Sequence, residues 1–256
     1  MATESLLEYL TREAPPRLPN ENILDEPDPL DPKYSFRDIE TITSWFEFTY
    51  TTIMEQYSSI LHTSTIIQNP MPTSPRLIRN ESMFRRRFSE YVLPRIRRSL
   101  RAAFKNLPAE DSASRQLAEI TFDVGSAAYY IDEDDTPGLA FFVPSDSFDS
   151  CPNRCPGELK VSWTWKSEWR YSTNPDCVRG YKEGLARLNY YMREHKARYG
   201  CILTEAEIVA VRRLEEDGHL AVSDAVDRSA HGEGVLTVCL VLWYMGMLAA
   251  RSDWEL

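Results

Sequence analysis

The chain contains no Gly-rich phosphate loop, no G-x-S-x-G nucleophile elbow and no H-E-x-x-H helix. It therefore lacks the local chemistry of P-loop nucleotide hydrolases, α/β-hydrolases and zinc metalloproteases. Histidine is scarce. The only four, His62, His195, His219 and His231, form no cluster along the chain, and none is assigned a catalytic role. The five cysteines (Cys151, Cys155, Cys177, Cys201 and Cys239) are odd in number, in a chain too large to need disulfide stapling. Cys151-Pro-Asn-Arg-Cys155 followed by Cys177 lacks the second close pair or nearby histidine of a structural zinc site. The start, MATESLLEYLTREAPP, has neither the basic beginning nor the unbroken apolar core of a secretory signal. Free thiols in a reducing intracellular setting, cytoplasm or nucleus, are expected.

Long apolar runs are missing too. The best candidate, Val235–Ala250, has sixteen residues bounded by Glu233 and Arg251. As a helix it would reach about 24 Å, short of the roughly 30 Å hydrocarbon core. A buried closing helix is expected, and no membrane. Nor is positive charge in excess: 39 acidic side chains face 29 basic ones, for a net charge of −10. This argues against a protein that coats nucleic acid through its bulk charge and leaves room for a local basic patch.

What remains is an ordinary globular composition, 43% hydrophobic and 27% charged over 256 residues, without internal repeats. Ser5–Thr11 reads as a short amphipathic helix, and Ala14–Tyr34, with six prolines among acids, as an extended linker or surface strap. Phe36–Leu61 reads as a helix. Phe84–Phe104 reads as another, apolar at every fourth position and kinked at Pro94. Between Arg76 and Lys105 there are ten basic and two acidic residues, a net of +8 that leaves −18 for the rest of the chain. These arginines either pair with the acidic body or, through Arg85, Arg86 and Arg97, meet a nucleic-acid backbone. Strands are expected at Ile120–Val124, Ala127–Ile131, Leu139–Val143 and Glu158–Trp163. A helix over Val178–Ala197 follows, then strands at Gly200–Thr204, Ile208–Leu214 and His219–Val222. The pattern predicts an α/β fold with a central mixed sheet flanked by helices. Residues 1–70 are expected as a helical, Pro-rich N-terminal extension packing on a domain formed by 71–256.

The chemistry-bearing candidate is Pro156-Gly-Glu-Leu-Lys160. Side chains two apart on a strand share a face, so Glu158 and Lys160 project together. Such a pair suits metal-assisted phosphodiester hydrolysis. The carboxylate helps to hold Mg²⁺, while the lysine orients the attacking water and offsets charge on the scissile phosphate. The same spacing is equally that of an ordinary neighbour ion pair. Trp163 and Trp165 are expected on the opposite strand face, as core and rim packing or as a stacking surface.

The setting of this strand, after Thr136-Pro-Gly-Leu-Ala-Phe-Phe142 and before an amphipathic helix and another strand, resembles the PD-(D/E)xK nuclease-like superfamily. GELKVSWTW, LARLNYYMREHKARYGCILTEAEIVAVRRLEEDGHL and VLTVCLVLWYMGMLAA resemble a group of fungal members, over roughly residues 75 to 250. The resemblance implies a restriction-endonuclease-like core and Mg²⁺-dependent hydrolysis of DNA or RNA. Glu158 would be the acidic metal ligand, Lys160 the catalytic lysine and Glu90 an additional acid on the preceding helix. The family's first aspartate follows a proline, whereas here Pro137 is followed by Gly138; Asp135 or Asp134 would have to replace that ligand. Arg187 and Asn189 stand nearest to where the family's second helix offers a glutamine. Three readings stay open: a Mg²⁺-dependent nuclease, a catalytically silent module binding nucleic acid or a protein, and a pocket recruited to small-molecule chemistry.

Overall fold

The computed structural model describes residues 2–15, 19, 25, 27, 31–71, 77–107, 116–129, 136–147 and 149–256. The chain opens with β1 (Thr3–Ser5) and α1 (Leu6–Thr11). Ser5 caps α1 and Glu8 returns the bond to the cap, satisfying two orphan amides reciprocally. A 3-10 turn (Phe36–Asp38) leads to β2 (Thr41–Ser44), α2 (Tyr50–Thr63) and β3 (Thr65–Ile67), which pairs antiparallel with β1. The single helix expected over Phe36–Leu61 is therefore replaced by a turn, a strand and a helix. The β-branched run Thr41-Ile-Thr gains a parallel partner far along the chain, and Thr49 then caps α2 through the Thr52 amide.

Next come α3 (Glu81–Tyr91) and α4 (Leu93–Asn106). Instead of one kinked helix there are two, divided at Val92. Pro94 stands in the first turn of α4, where its missing N–H costs no bond. The strands β4 (Thr121–Val124), β5 (Leu139–Phe142) and β6 (Gly157–Leu159) follow. The strand expected at Ala127–Ile131 is absent from its described part, which continues a 3-10 turn over Gly125–Ala127. Helix α5 (Pro175–Glu194), β7 (Tyr199–Leu203), β8 (Glu207–Arg213), β9 (His219–Val222), β10 (Val226–Asp227) and α6 (Val238–Ala250) complete the chain.

Among the described residues, eight strands form one mixed sheet in the order β2-β9-β8-β7-β6-β5-β4, with β10 also beside β8. The pairs β2–β9 and β6–β7 are parallel and the other pairs antiparallel. One face is covered by α1 to α4 and α6; its apolar cluster runs from Leu6 and Tyr9 through Phe88, Phe141 and Leu203 to Trp243. All thirteen residues of α6 are buried, which explains why this segment is apolar on every side. No helix among the described residues is long and apolar enough to cross a membrane. The other face carries α5, whose Tyr181, Leu185, Leu188 and Met192 pack on Ile202, Val209 and Val211. Residues before 70 add β2 to the sheet edge, and Leu10, Ile53 and Leu61 belong to the same cluster as α4 and α6.

Between β5 and β6, the loop 151–155 is fastened by Asn153. Its side chain accepts from the Phe141 and Cys155 amides and donates to the Leu139 carbonyl. The Asn153 amide in turn donates to His195 Nδ1 at 3.3 Å. Acceptance at Nδ1 requires the neutral ring, and burial holds the His195 pKa down at about 4 from 6.5. The unfolded chain thus binds a proton between pH 6.5 and 4 that the folded chain refuses. Stability from this residue is complete above pH 6.5 and is lost as the pH falls towards 4. Between pH 7 and 4.5, wild type should lose about 2 kcal/mol more than His195→Gln, a difference read from urea midpoints at the two pH values. Parallel pH profiles of the two proteins would refute this assignment.

Candidate functional site

Strand β6 lies near the middle of the sheet, between β5 and β7. Glu158 sits opposite Ile202, on the α5 face, whereas Gly157 and Leu159 pair with Cys201 and Leu203 on the other. The Lys160 amide extends the ladder to the Leu203 carbonyl, which keeps Lys160 on the same side as Glu158. Both side chains are buried, Glu158 completely and Lys160 to 3% exposure.

The acid is not open to a metal. Arg187, from the middle of α5, brings Nε to 3.6 Å from Glu158 Oε2 and also donates to the Tyr191 hydroxyl at 3.2 Å. The Glu158 carboxylate holds the Arg187 guanidinium well above its ordinary range. At 3.6 Å the contact is one of charge and not a hydrogen bond, and both Glu158 oxygens lack a hydrogen-bond partner among the described residues.

Gly138 stands where the resemblance expects an aspartate. A Cβ there would lie 2.9 Å from the Leu159 amide nitrogen, so the backbone of β6 occupies the space of any side chain. Asp134 and Asp135 lie outside the described residues. Mg²⁺ needs near-octahedral oxygen ligands and is usually held through one or two free carboxylates. Here the one carboxylate on the strand is already faced by a guanidinium, and no group of three His, Cys, Asp or Glu side chains converges among the described residues. These residues do not fit the metal.

They do enclose a cavity of about 280 Å³, bordered by Lys160, Arg187, Trp165, Glu183, Glu81 and Tyr34 among others. Burial raises the Glu183 carboxyl, an effect opposed by the Phe36 backbone and by Arg179. Trp165 stacks on Tyr181 at 5.7 Å, and its ring fills the place of a side chain at Gly184, where a Cβ would meet it at 2.3 Å. The two tryptophans do not share a face as expected. A turn over residues 162–164 ends the strand early, leaving Trp163 in the cluster of α4 and α6 and Trp165 in that of α5, beside Lys160.

Two glutamates hold that turn and loop. Glu205 accepts from both the amide and the hydroxyl of Ser162, and Glu207 does the same for Ser167. Sequence reasoning missed both, because each bond joins segments some forty residues apart. The strap also reaches the site: Asp31 and Tyr34 border the cavity, and Asp25 pairs with Lys166 at 2.8 Å.

The remaining candidates are placed elsewhere. Glu90 does not border the cavity; Arg86 and Arg87 bind its carboxylate on the outer side of α3 at 3.2 and 2.6 Å. Arg85 is shared between Glu81 and the Leu159 carbonyl. Arg97 donates to the Phe122 carbonyl and pairs with Asp123 on β4. Of the three arginines expected to meet a nucleic-acid backbone, only Arg86 is largely exposed, at 79% of its side chain, and it is paired with Glu90. Comparison with family models, with curated proteins and with solved structures found no match to this chain.

Proposed function

We propose that the chain belongs to the PD-(D/E)xK nuclease-like superfamily, that its site no longer cuts nucleic acid, and that this site binds a compact polar molecule. The order of elements supports the ancestry. Helix α4 precedes the antiparallel meander β4–β5–β6, and α5 then crosses to β7, parallel to β6, with Glu158 on the third strand and Lys160 directly after its end. The observation that carries the loss of cleavage is the placement of Arg187 against the single carboxylate a metal would need. Gly138, closed to any side chain, removes the second acid.

What the site retains is a small cavity bordered by the Lys160 ammonium, the Arg187 guanidinium, the acids Asp31, Glu81 and Glu183, and the Trp165 indole. Its 280 Å³ lies just below the usual range for small-ligand sites and suits a compact molecule, not a length of duplex. Nucleic acid is also disfavoured by the arginines of α3 and α4, most of which are engaged with the protein's own backbone or acids.

The test is a cleavage assay paired with a binding screen. Purified protein with Mg²⁺ or Mn²⁺ should leave plasmid DNA and RNA intact. Polar compounds of fewer than about fifteen heavy atoms should include some that raise the melting temperature of wild type but not of folded Lys160→Met. Metal-dependent cleavage that disappears in Lys160→Ala would overturn the reading and restore the nuclease.

A further inference from the structure

A second and larger cavity, of about 620 Å³, opens on the other face of the sheet, among β7, β8, α2 and α6. Its floor is aromatic. Trp45 and Tyr199 stack at 5.8 Å with their planes 13° apart, both 6% exposed, and Tyr244 stands beside them. Arg212, opposite Tyr199 in the β7–β8 register, lies 5.0 Å from the centroid of the Trp45 ring.

Arg212 is unlike the other arginines of this cavity. Arg198 donates to the Asp253 and Glu255 carbonyls, Arg213 to the Met192 carbonyl, and Arg251 is held bidentately by Asp253. Among the described residues Arg212 has no side-chain hydrogen bond and no ion pair, and its buried Nε has no partner at all. A buried guanidinium donor without an acceptor is unfavourable, and a planar fork resting beside an aromatic ring, with no internal acid to hold it, matches a carboxylate or a phosphate. The acids at this cavity, Glu47, Glu215, Glu216 and the Asp253 that holds Arg251, are exposed and would repel a polyanion such as a nucleic-acid strand.

We infer that Arg212 and its aromatic floor form a binding site for the anionic group of a small organic molecule, a carboxylate or a phosphate ester. The inference is independent of the Lys160 cavity, which lies on the opposite face. The site needs neither metal nor partner chain. Trp45 lies against the guanidinium at 5.0 Å, and Arg212 supplies the paired donors.

Calorimetric titration of the full chain with inorganic phosphate and, separately, with succinate tests it. At least one anion should bind saturably. Arg212→Lys should weaken it about tenfold, because an ammonium keeps the charge but loses the fork, and Arg212→Met should abolish it. Circular dichroism checks that both variants are folded, and the lysine variant keeps the test decisive if the methionine one is not. Phosphate alone binding points to a phosphate ester, succinate alone to a carboxylic acid, and either supports the site. If neither anion binds, or binding is unchanged in Arg212→Lys, the inference fails. Binding lost in Lys160→Met but not in the Arg212 variants would place the anion in the other cavity, overturning this inference while leaving the proposed function intact.

Discussion

Arg187→Ala is expected to cost about 3–5 kcal/mol of folding stability, the penalty for stranding a buried charge without its partner. The asymmetry of the pair sets this direction. Glu158 has no exposed side-chain surface, whereas Arg187 retains 24% of its own and a second contact at the Tyr191 hydroxyl. Removing the acid leaves a guanidinium that can still reach water. Removing the arginine leaves a carboxylate with no hydrogen-bond donor among the described residues. Glu158→Leu with Arg187→Met in one chain should recover most of the loss, because apolar replacements of similar volume do not have to be desolvated as ions. Urea denaturation at pH 7 of wild type, Glu158→Leu, Arg187→Met and the double variant gives the coupling directly. If Arg187→Ala and the double variant fall within about 0.5 kcal/mol of each other, Glu158 does not depend on Arg187, and the account of the closed site collapses.

That a carboxylate and an amine share one face of a central strand was legible from their spacing, because the period of two is fixed by backbone geometry. What Glu158 faces was not. Arg187 lies on the next helix, and its approach depends on how α5 crosses the sheet, a tertiary fact without a local signature. The closing helix was legible for the opposite reason: a segment apolar on all sides has only the interior to occupy. The failures share a cause. Ile39, Ile42, Trp45 and Phe46 imitate a helical stripe, yet β2 is selected by parallel pairing with β9, far away in sequence. The register mirrors this, with Trp45 buried and its neighbour Phe46 81% exposed. The expected parity of Trp163 and Trp165 assumed a strand that continued, whereas the acids binding Ser162 and Ser167 come from the segment after β7. The net charge of the arginine-rich segment was read correctly from composition, but composition could not say that backbone carbonyls would absorb much of it.

Those carbonyl contacts predict a steep contrast along one helix pair. Arg95 is 2% exposed, lies 4.0 Å over the Tyr9 ring, and donates to the carbonyls of Tyr9 and Asn69. Tyr9 is on α1 and Asn69 follows β3, so this one side chain joins the first seventy residues to α4. Arg95→Ala should cost about 4 kcal/mol, the sum of two lost charge-assisted bonds, their stranded acceptors and the cavity left behind. Arg95→Met, which refills the volume but donates nothing, should cost roughly half as much. Arg86→Ala, on the outer side of α3, should change stability by no more than about 0.5 kcal/mol. Chemical denaturation of the three variants checks the order. Equal effects at positions 86 and 95 would mean that the arginines act through their general field and not through these contacts. The predicted order means that reversing Arg85, Arg86 and Arg97 together cannot test nucleic-acid binding cleanly. Two of the three hold strands of the sheet, so their loss would weaken any surface by loosening the fold beneath it. Arg86 alone, reversed to Glu, separates the two causes: a field effect would survive in its salt dependence, and a structural one would leave it silent.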